Sequence, residues 1–154
     1  MFPSDTAKVL ERMSAALVSG APVSFTVWKK SGIWALMHKA AILVTSDTTI
    51  PLPKFYHPSW NHSETLVSHL EHAGFKDIKI SEQNIPWEVE SKSAFYKFVN
   101  GTPMWKEYTK NWTADQKEMI HDCVLEVLDE EYPDAGHGPI EIPMIGYIGF
   151  ARKP

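Results

Sequence analysis

Seven histidines are the side chains of this chain best suited to moving protons near neutral pH, and their surroundings decide which of them could do so. His69 and His72 lie three apart around Glu71. A zinc-protease helix needs two histidines four apart with a glutamate beside the first, so this pair reads as a helix edge and no metal is expected. His57 and His62 flank Pro58-Ser59-Trp60, a proline-broken stretch that reads as a loop. His38 stands among apolar neighbours, where a histidine is ordinarily a hydrogen-bonded part of the core. His121 and Asp122 are adjacent, a spacing that on a helix aims side chains apart and predicts no dyad. Ser19-Gly20 lacks the glycine pattern of a nucleophile elbow. Asp129-Glu130-Glu131 reads as a solvated helix end. Cys123, the single cysteine, reads as a buried thiol on a helix and cannot form an internal disulfide.

Aromatic residues are the other candidates. They make up 12% of the 154 residues and include six tryptophans, large apolar surfaces with polar handles that suit a core, an interface or a pocket for an organic molecule. The rest of the composition is that of one ordinary globular domain spanning 1–154. Fifteen basic against nineteen acidic side chains give a net charge of -4, which offers no footprint for nucleic acid or for an anionic membrane surface. The start has no basic stretch followed by an apolar run, so a cytoplasmic location is expected, and the sequons at Asn61, Asn100 and Asn111 are read as chance matches.

The elements that must position these residues follow from spacing and punctuation. Val9, Leu10, Met13, Ala16 and Leu17 predict an amphipathic helix with Ser4 or Asp5 as cap and Gly20 beyond its end. Val23–Trp28, β-branched and aromatic after Pro22, predicts a strand closed off by Lys29-Lys30-Ser31-Gly32. Ile33–Val44 predicts a helix apolar nearly all round. Pro51, Pro53 and Pro58 predict a loop over Thr45–Trp60. Ser63–Ala73 predicts a helix stopped by Gly74, and Phe75–Ile80 a strand with one wet side. A helical insertion is expected at about 84–112, with short helices forming a lid over Pro86–Tyr108. Ala114–Glu131 predicts a long helix capped by Thr113, with Met119, Ile120, Cys123, Val124, Val127 and Leu128 on one face. Ile140–Phe150 predicts one strand, interrupted by Pro143.

This order of elements resembles the C-terminal half of class I S-adenosylmethionine-dependent methyltransferases of the small-molecule type. The resemblance is carried by Val9-Leu10 through Ala16-Leu17-Val18-Ser19-Gly20 as the helix and turn before the family's fifth strand, by Val23–Trp28 as that strand, by Leu70-Glu71-His72-Ala73-Gly74-Phe75-Lys76-Asp77-Ile78 as the approach to the sixth, and by Ile145–Lys153 as the seventh. It implies an α/β, partial methyltransferase-like (Rossmann-like) three-layer fold: a short mixed sheet equivalent to strands 5-7-6, with flanking helices. The family's cofactor-binding glycine-rich turn, Gly-X-Gly after a strand and before a helix, has no counterpart among the eight glycines, and Gly136-His137-Gly138 reads as a turn. No cofactor is therefore expected, and S-adenosylmethionine only if a partner chain completes the fold.

The resemblance also implies function. In the family's sheet the fifth strand has a further neighbour, so Val23–Trp28 would present an open edge, and a homodimer through that edge is expected. His38, His57 and His62 would lie where the family's substrate pocket opens, as general acids or bases. Trp28, Trp34, Trp60, Trp87, Phe95 and Trp105 would bind the substrate and hold a hydrophobic or cationic intermediate. The activity this implies is an isomerase or cyclase chemistry on a small organic substrate of secondary-metabolite type, without methyl transfer by the isolated chain. Two alternatives stand beside it: a non-catalytic accessory or degenerate methyltransferase subunit, and a methyltransferase active only with a partner.

Overall fold

A computed structural model describes residues 6–52 and 61–154. The expected caps Ser4 and Asp5, and the candidate site residues His57 and Trp60, lie outside the described residues. In chain order the elements are α1 (Thr6–Ala16), β1 (Pro22–Ser31), α2 (Gly32–Thr45), α3 (Ser63–His72), β2 (Lys76–Asn84), β3 (Trp87–Val89), α4 (Lys92–Gly101), α5 (Pro103–Tyr108), α6 (Ala114–Glu131), a 3-10 turn (Pro133–Ala135), β4 (Ile140–Ile142) and β5 (Met144–Arg152). The fold is α/β, and the contacts divide it into two units.

The sheet unit holds α1, β1, α3, β2 and β5. Its strand order is β1-β5-β2, the order expected for strands 5-7-6. β2 pairs antiparallel with β5 from Lys76↔Arg152 to Asn84↔Ile145, with a bulge between Lys76 and Lys79 where Asp77 takes a positive φ of 53°. Backbone bonds from Gly20 to Lys153 and from Lys153 to Ala21, both 2.9 Å, and from the Ser24 hydroxyl to Gly149 at 3.2 Å, show that β1 also opposes β5. The Phe25 ring lies over Gly149, where an added Cβ would sit 2.0 Å from a ring carbon. Leu10 of α1 and Leu70 of α3 pack with Phe75 and Ala151, and Leu66 packs with Val27 and Tyr147. Gly74, at φ 85°, ends α3 in the left-handed turn that L side chains disfavour. Lys153 caps the other helix end, its Nζ donating to the carbonyls of Ser14 and Leu17 at 2.6 and 2.7 Å.

The helical unit holds α2, α4, α5, α6 and the ribbon β3-β4, paired from Trp87↔Ile142 to Val89↔Ile140. α2 packs on α6, burying Leu36, Met37, Ala40, Ala41 and Val44 of the first and Ile120, Val124, Val127 and Leu128 of the second. Thr113 opens α6 with a reciprocal capping box: its hydroxyl accepts from the Gln116 amide at 3.2 Å, and the Gln116 side chain accepts from the Thr113 amide at 3.0 Å.

Several expectations are corrected. The run Ile140–Phe150 is two strands, because Pro143 cannot donate to a ladder; β4 pairs with β3 while β5 becomes the central strand of the other sheet. β1 continues past Trp28 to Ser31. Its Lys29 is held there by an ion pair of 2.6 Å to Glu82 and by its position over the Tyr147 ring. β2 runs beyond Ile80 to Asn84 because β5 supplies partners along that length. The insertion contains the strand β3 as well as helices. Met119, expected inward, is exposed.

Candidate functional site

Trp34 and His38 sit one helical turn apart on α2, which places them on one face. The start of that helix is set by a close approach. Ser31 precedes it in extended conformation without a side-chain cap. The Gly32 amide instead donates to the Pro143 carbonyl at 3.0 Å, satisfying one of the donors a helix N-terminus leaves free. Only glycine fits this approach, since a Cβ there would lie 2.6 Å from that oxygen and 2.7 Å from Ile142 Cγ2.

The His38 ring is held by the loop that follows. Its Nε2 donates to the Ile50 carbonyl at 2.8 Å; a carbonyl can only accept, so Nε2 carries a proton, and whenever the ring is neutral its lone pair is on Nδ1. Ile50 is presented by a short turn in which the Asp47 carboxylate accepts from the Thr49 amide at 2.8 Å and from its hydroxyl at 2.6 Å. Those two bonds, the hydroxyl's first, hold the Asp47 carboxyl below its ordinary range. Thr45 closes the end of α2 by donating to the Ala41 carbonyl at 2.7 Å.

α5 brings the aromatic wall. Thr102 caps it, accepting from the Trp105 amide at 3.2 Å, and Pro103 begins it without needing an amide. Trp105 is 2% exposed. Its ring lies 6.5 Å from Trp34, 5.5 Å from Tyr108 and 5.7 Å from Trp112, inside the range of favourable aromatic pairs. The Tyr108 hydroxyl donates to the Pro51 carbonyl at 3.0 Å, and burial pushes its phenol above the ordinary tyrosine value. His38 and Tyr108 thus tether consecutive carbonyls of one loop.

Of the candidate residues, the structure brings Trp34, His38 and Trp105 into this neighbourhood. Trp87 and Phe95 form a second cluster with the exposed Phe98, at ring distances of 6.1 and 4.7 Å from Trp87. Trp28 and His62 belong to the sheet unit, where His62 is exposed and Trp28 is 38% exposed. Sequence reasoning left out Tyr108 and Trp112 as site residues. Trp105 and Tyr108, three apart, share one face of α5, whereas Trp112 lies beyond the end of that helix, its amide donating to the Thr109 carbonyl at 3.0 Å, and no helical period would have found it.

Three smaller readings change. His121 Nδ1 and Asp122 Oδ1 do meet, at 2.8 Å, because both side chains are exposed and free to turn toward each other; His121 also meets the Tyr96 ring edge-on at 4.8 Å. The acidic end of α6 is not simply solvated, since Asp129 pairs with the buried Lys92 at 2.7 Å and Glu131 pairs with Lys39. Cys123 is half-buried rather than buried; burial, with Glu126 and Asp122 nearby, raises its thiol pKa and keeps it from being a reactive thiolate. Among the described residues, no three His, Cys, Asp or Glu side chains gather as metal ligands.

A cofactor cradle of the methyltransferase kind stands at a strand-to-helix junction, and the resemblance is to the half of that fold without it. Neither such junction among the described residues fits one. At β1-α2 the space beside Gly32 is filled by Pro143 and Ile142. At β3-α4 the turn is Glu90-Ser91, and the Ser91 hydroxyl is taken as the cap of α4 by the Ala94 amide at 3.1 Å.

No family model matches the chain. Among solved structures, it is similar to Haemonchus contortus phospholethanolamine N-methyltransferase 2 in complex with phosphomonomethylethanolamine and S-adenosylhomocysteine, at 16% identity and a TM-score of 0.41. The match covers 97% of this chain and 30% of that one, so the chain spans about a third of that structure's length. No helix among the described residues is long and apolar enough to cross a membrane.

Proposed function

We propose that this chain is a methyltransferase-like domain holding the acceptor side of that fold, and that it isomerises or cyclises a small organic molecule of secondary-metabolite type by proton transfer and confinement, without S-adenosylmethionine. One observation carries the reading: His38 is oriented by its bond to the Ile50 carbonyl on the same helix face as Trp34, which packs on Trp105. With Nε2–H engaged, Nδ1 is the base. It takes a proton from a substrate carbon and returns it at another position, so the substrate is rearranged with no net loss of atoms. The tryptophans supply an apolar wall that orients the substrate and limits water.

The protein acts in the cytoplasm as a homodimer joined through the edge of β1, which has β5 as its one neighbour among the described residues. The same open edge favours the second reading, an accessory subunit that pairs with a larger methyltransferase.

The direct test is deuterium exchange from heavy water into an enolisable aryl diketone such as benzoylacetone, followed by NMR. The wild-type chain should accelerate exchange over buffer, and His38→Ala, folded by circular dichroism, should lose most of that acceleration, about 100-fold or more. Unchanged exchange in His38→Ala would remove the assigned base. Calorimetric binding of S-adenosylmethionine at micromolar concentration would overturn the cofactor-free reading. A monomer by light scattering would end the dimer, and co-purification with a complete methyltransferase would favour the accessory subunit.

A further inference from the structure

A cavity of about 290 Å³ opens in the helical unit at the α5–α6 connection, and neither His38 nor Trp34 lines it. Its apolar walls are Trp105, Trp112 and Ile120, and its polar wall carries Lys106, Lys110 and Lys117. Trp105 and Ile120 are nearly fully buried, so this end of the cavity is built on the core of the unit, and the Thr109 hydroxyl, which donates to the Trp105 carbonyl at 3.0 Å, closes the end of α5 beneath it. The volume is at the small end of ligand sites and suits a molecule of one or two rings.

The lysines decide what kind of molecule. Two tryptophans alone would accept an apolar ring or a cation; three ammonium groups beside them repel a cation and attract an anion. Of the three, Lys110 is paired with Glu107. Lys117 donates to the Lys110 carbonyl at 3.4 Å, and among the described residues no carboxylate forms an ion pair with it. The chain as a whole is acidic, at a net charge of -4, so a cluster of three lysines on one concave surface runs against the overall charge.

We infer that this cavity is a binding site for a planar aromatic carboxylate, with the ring against Trp105 and Trp112 and the carboxylate between Lys106 and Lys117. The cavity is distinct from the proton-transfer reading at His38 and shares with that aromatic wall Trp105 and Trp112.

The test is isothermal calorimetry of the full chain with 1-naphthaleneacetate and with its neutral methyl ester. The acid should bind saturably and about tenfold more tightly than the ester, the difference that two partly exposed charge pairs supply. Raising salt to about half-molar should erase most of that preference. In the double variant Lys106→Ala/Lys117→Ala the acid should fall to the affinity of the ester while the ester is unchanged. Both lysines are exposed, so the variant should keep the near-ultraviolet signal of the tryptophans. Equal binding of acid and ester by the wild-type chain, or no saturation by the acid, would overturn the proposal whatever the variant does. A double variant that binds the acid as tightly as wild type would overturn the assignment of the lysines.

Discussion

Replacing Gly32 by alanine sets two effects of opposite sign against each other at the point that anchors α2. Alanine is the better helix former, by up to about 1 kcal/mol in a helix interior and less in the first turn. The added methyl, however, would sit 2.6 Å from the Pro143 carbonyl oxygen and 2.7 Å from Ile142 Cγ2. The isoleucine methyl can shift by a rotamer change, but the carbonyl belongs to the backbone that joins β4 to β5. Relieving the overlap means moving it, at the cost of overpacking, about 1–3 kcal/mol. The same movement stretches the 3.0 Å bond from the Gly32 amide, forfeiting up to about 1 kcal/mol more. The clash wins, with a net loss of about 2 kcal/mol and a fall in Tm of roughly 4–8 °C for a chain of this size. Thermal and urea denaturation measure it directly, and near-ultraviolet circular dichroism reports any disturbance of Trp34 against Trp105. Gly101→Ala is the control. That residue is the last of α4 and a Cβ there meets nothing within 4 Å, so the variant should be neutral or more stable by about 0.5 kcal/mol. A Gly32→Ala chain as stable as the wild type would refute the role given to that contact.

Asp129→Asn should destabilise by about 1–2 kcal/mol, because Lys92, whose side chain is 9% exposed, would keep a buried charge without its partner; the 71% exposure of Asp129 keeps the loss below that of a fully buried pair. Lys92→Met retains the packed stem and removes the charge, so it should fall within about 1 kcal/mol of wild type, and the double variant should be more stable than Asp129→Asn alone; denaturant titration of all three decides it. The turn that holds Ile50 against His38 should loosen in acid. Asp47 titrates below its ordinary range in the folded chain, so its bonds to Thr49 contribute fully above that range and are lost as pH falls through the depressed value. An NMR titration of the Thr49 amide should show this midpoint, and a midpoint at or above the ordinary aspartate value would contradict it.

The helices were legible because their signals are local. Thr113 with Gln116 marks one end of α6, the apolar spacing through Leu128 marks its buried face, and Gly74 marks the end of α3. The order of the strands was implied by the resemblance to the methyltransferase fold rather than by any local signal. Strand lengths were not legible, since β2 persists beyond Ile80 because β5 pairs along it and Lys29 of β1 is held by its ion pair with Glu82, and no residue of β1 or β2 encodes these partners. Nor was the division of Ile140–Phe150 at Pro143 between two sheets.

For the candidate site the boundary is similar. The sequence by itself placed Trp34 and His38 on one helix and Trp105 in a helical insertion, because a repeat of 3.6 residues needs no partner to be read. Only the tertiary structure decided that the Ile50 carbonyl orients His38, that Trp105 packs on Trp34, and that lysines 106, 110 and 117 share a concave surface with two tryptophans. Each of these contacts joins residues by packing or by a single hydrogen bond between segments whose local sequence is compatible with many other pairings. Their selection rests on the summed burial of the unit around them.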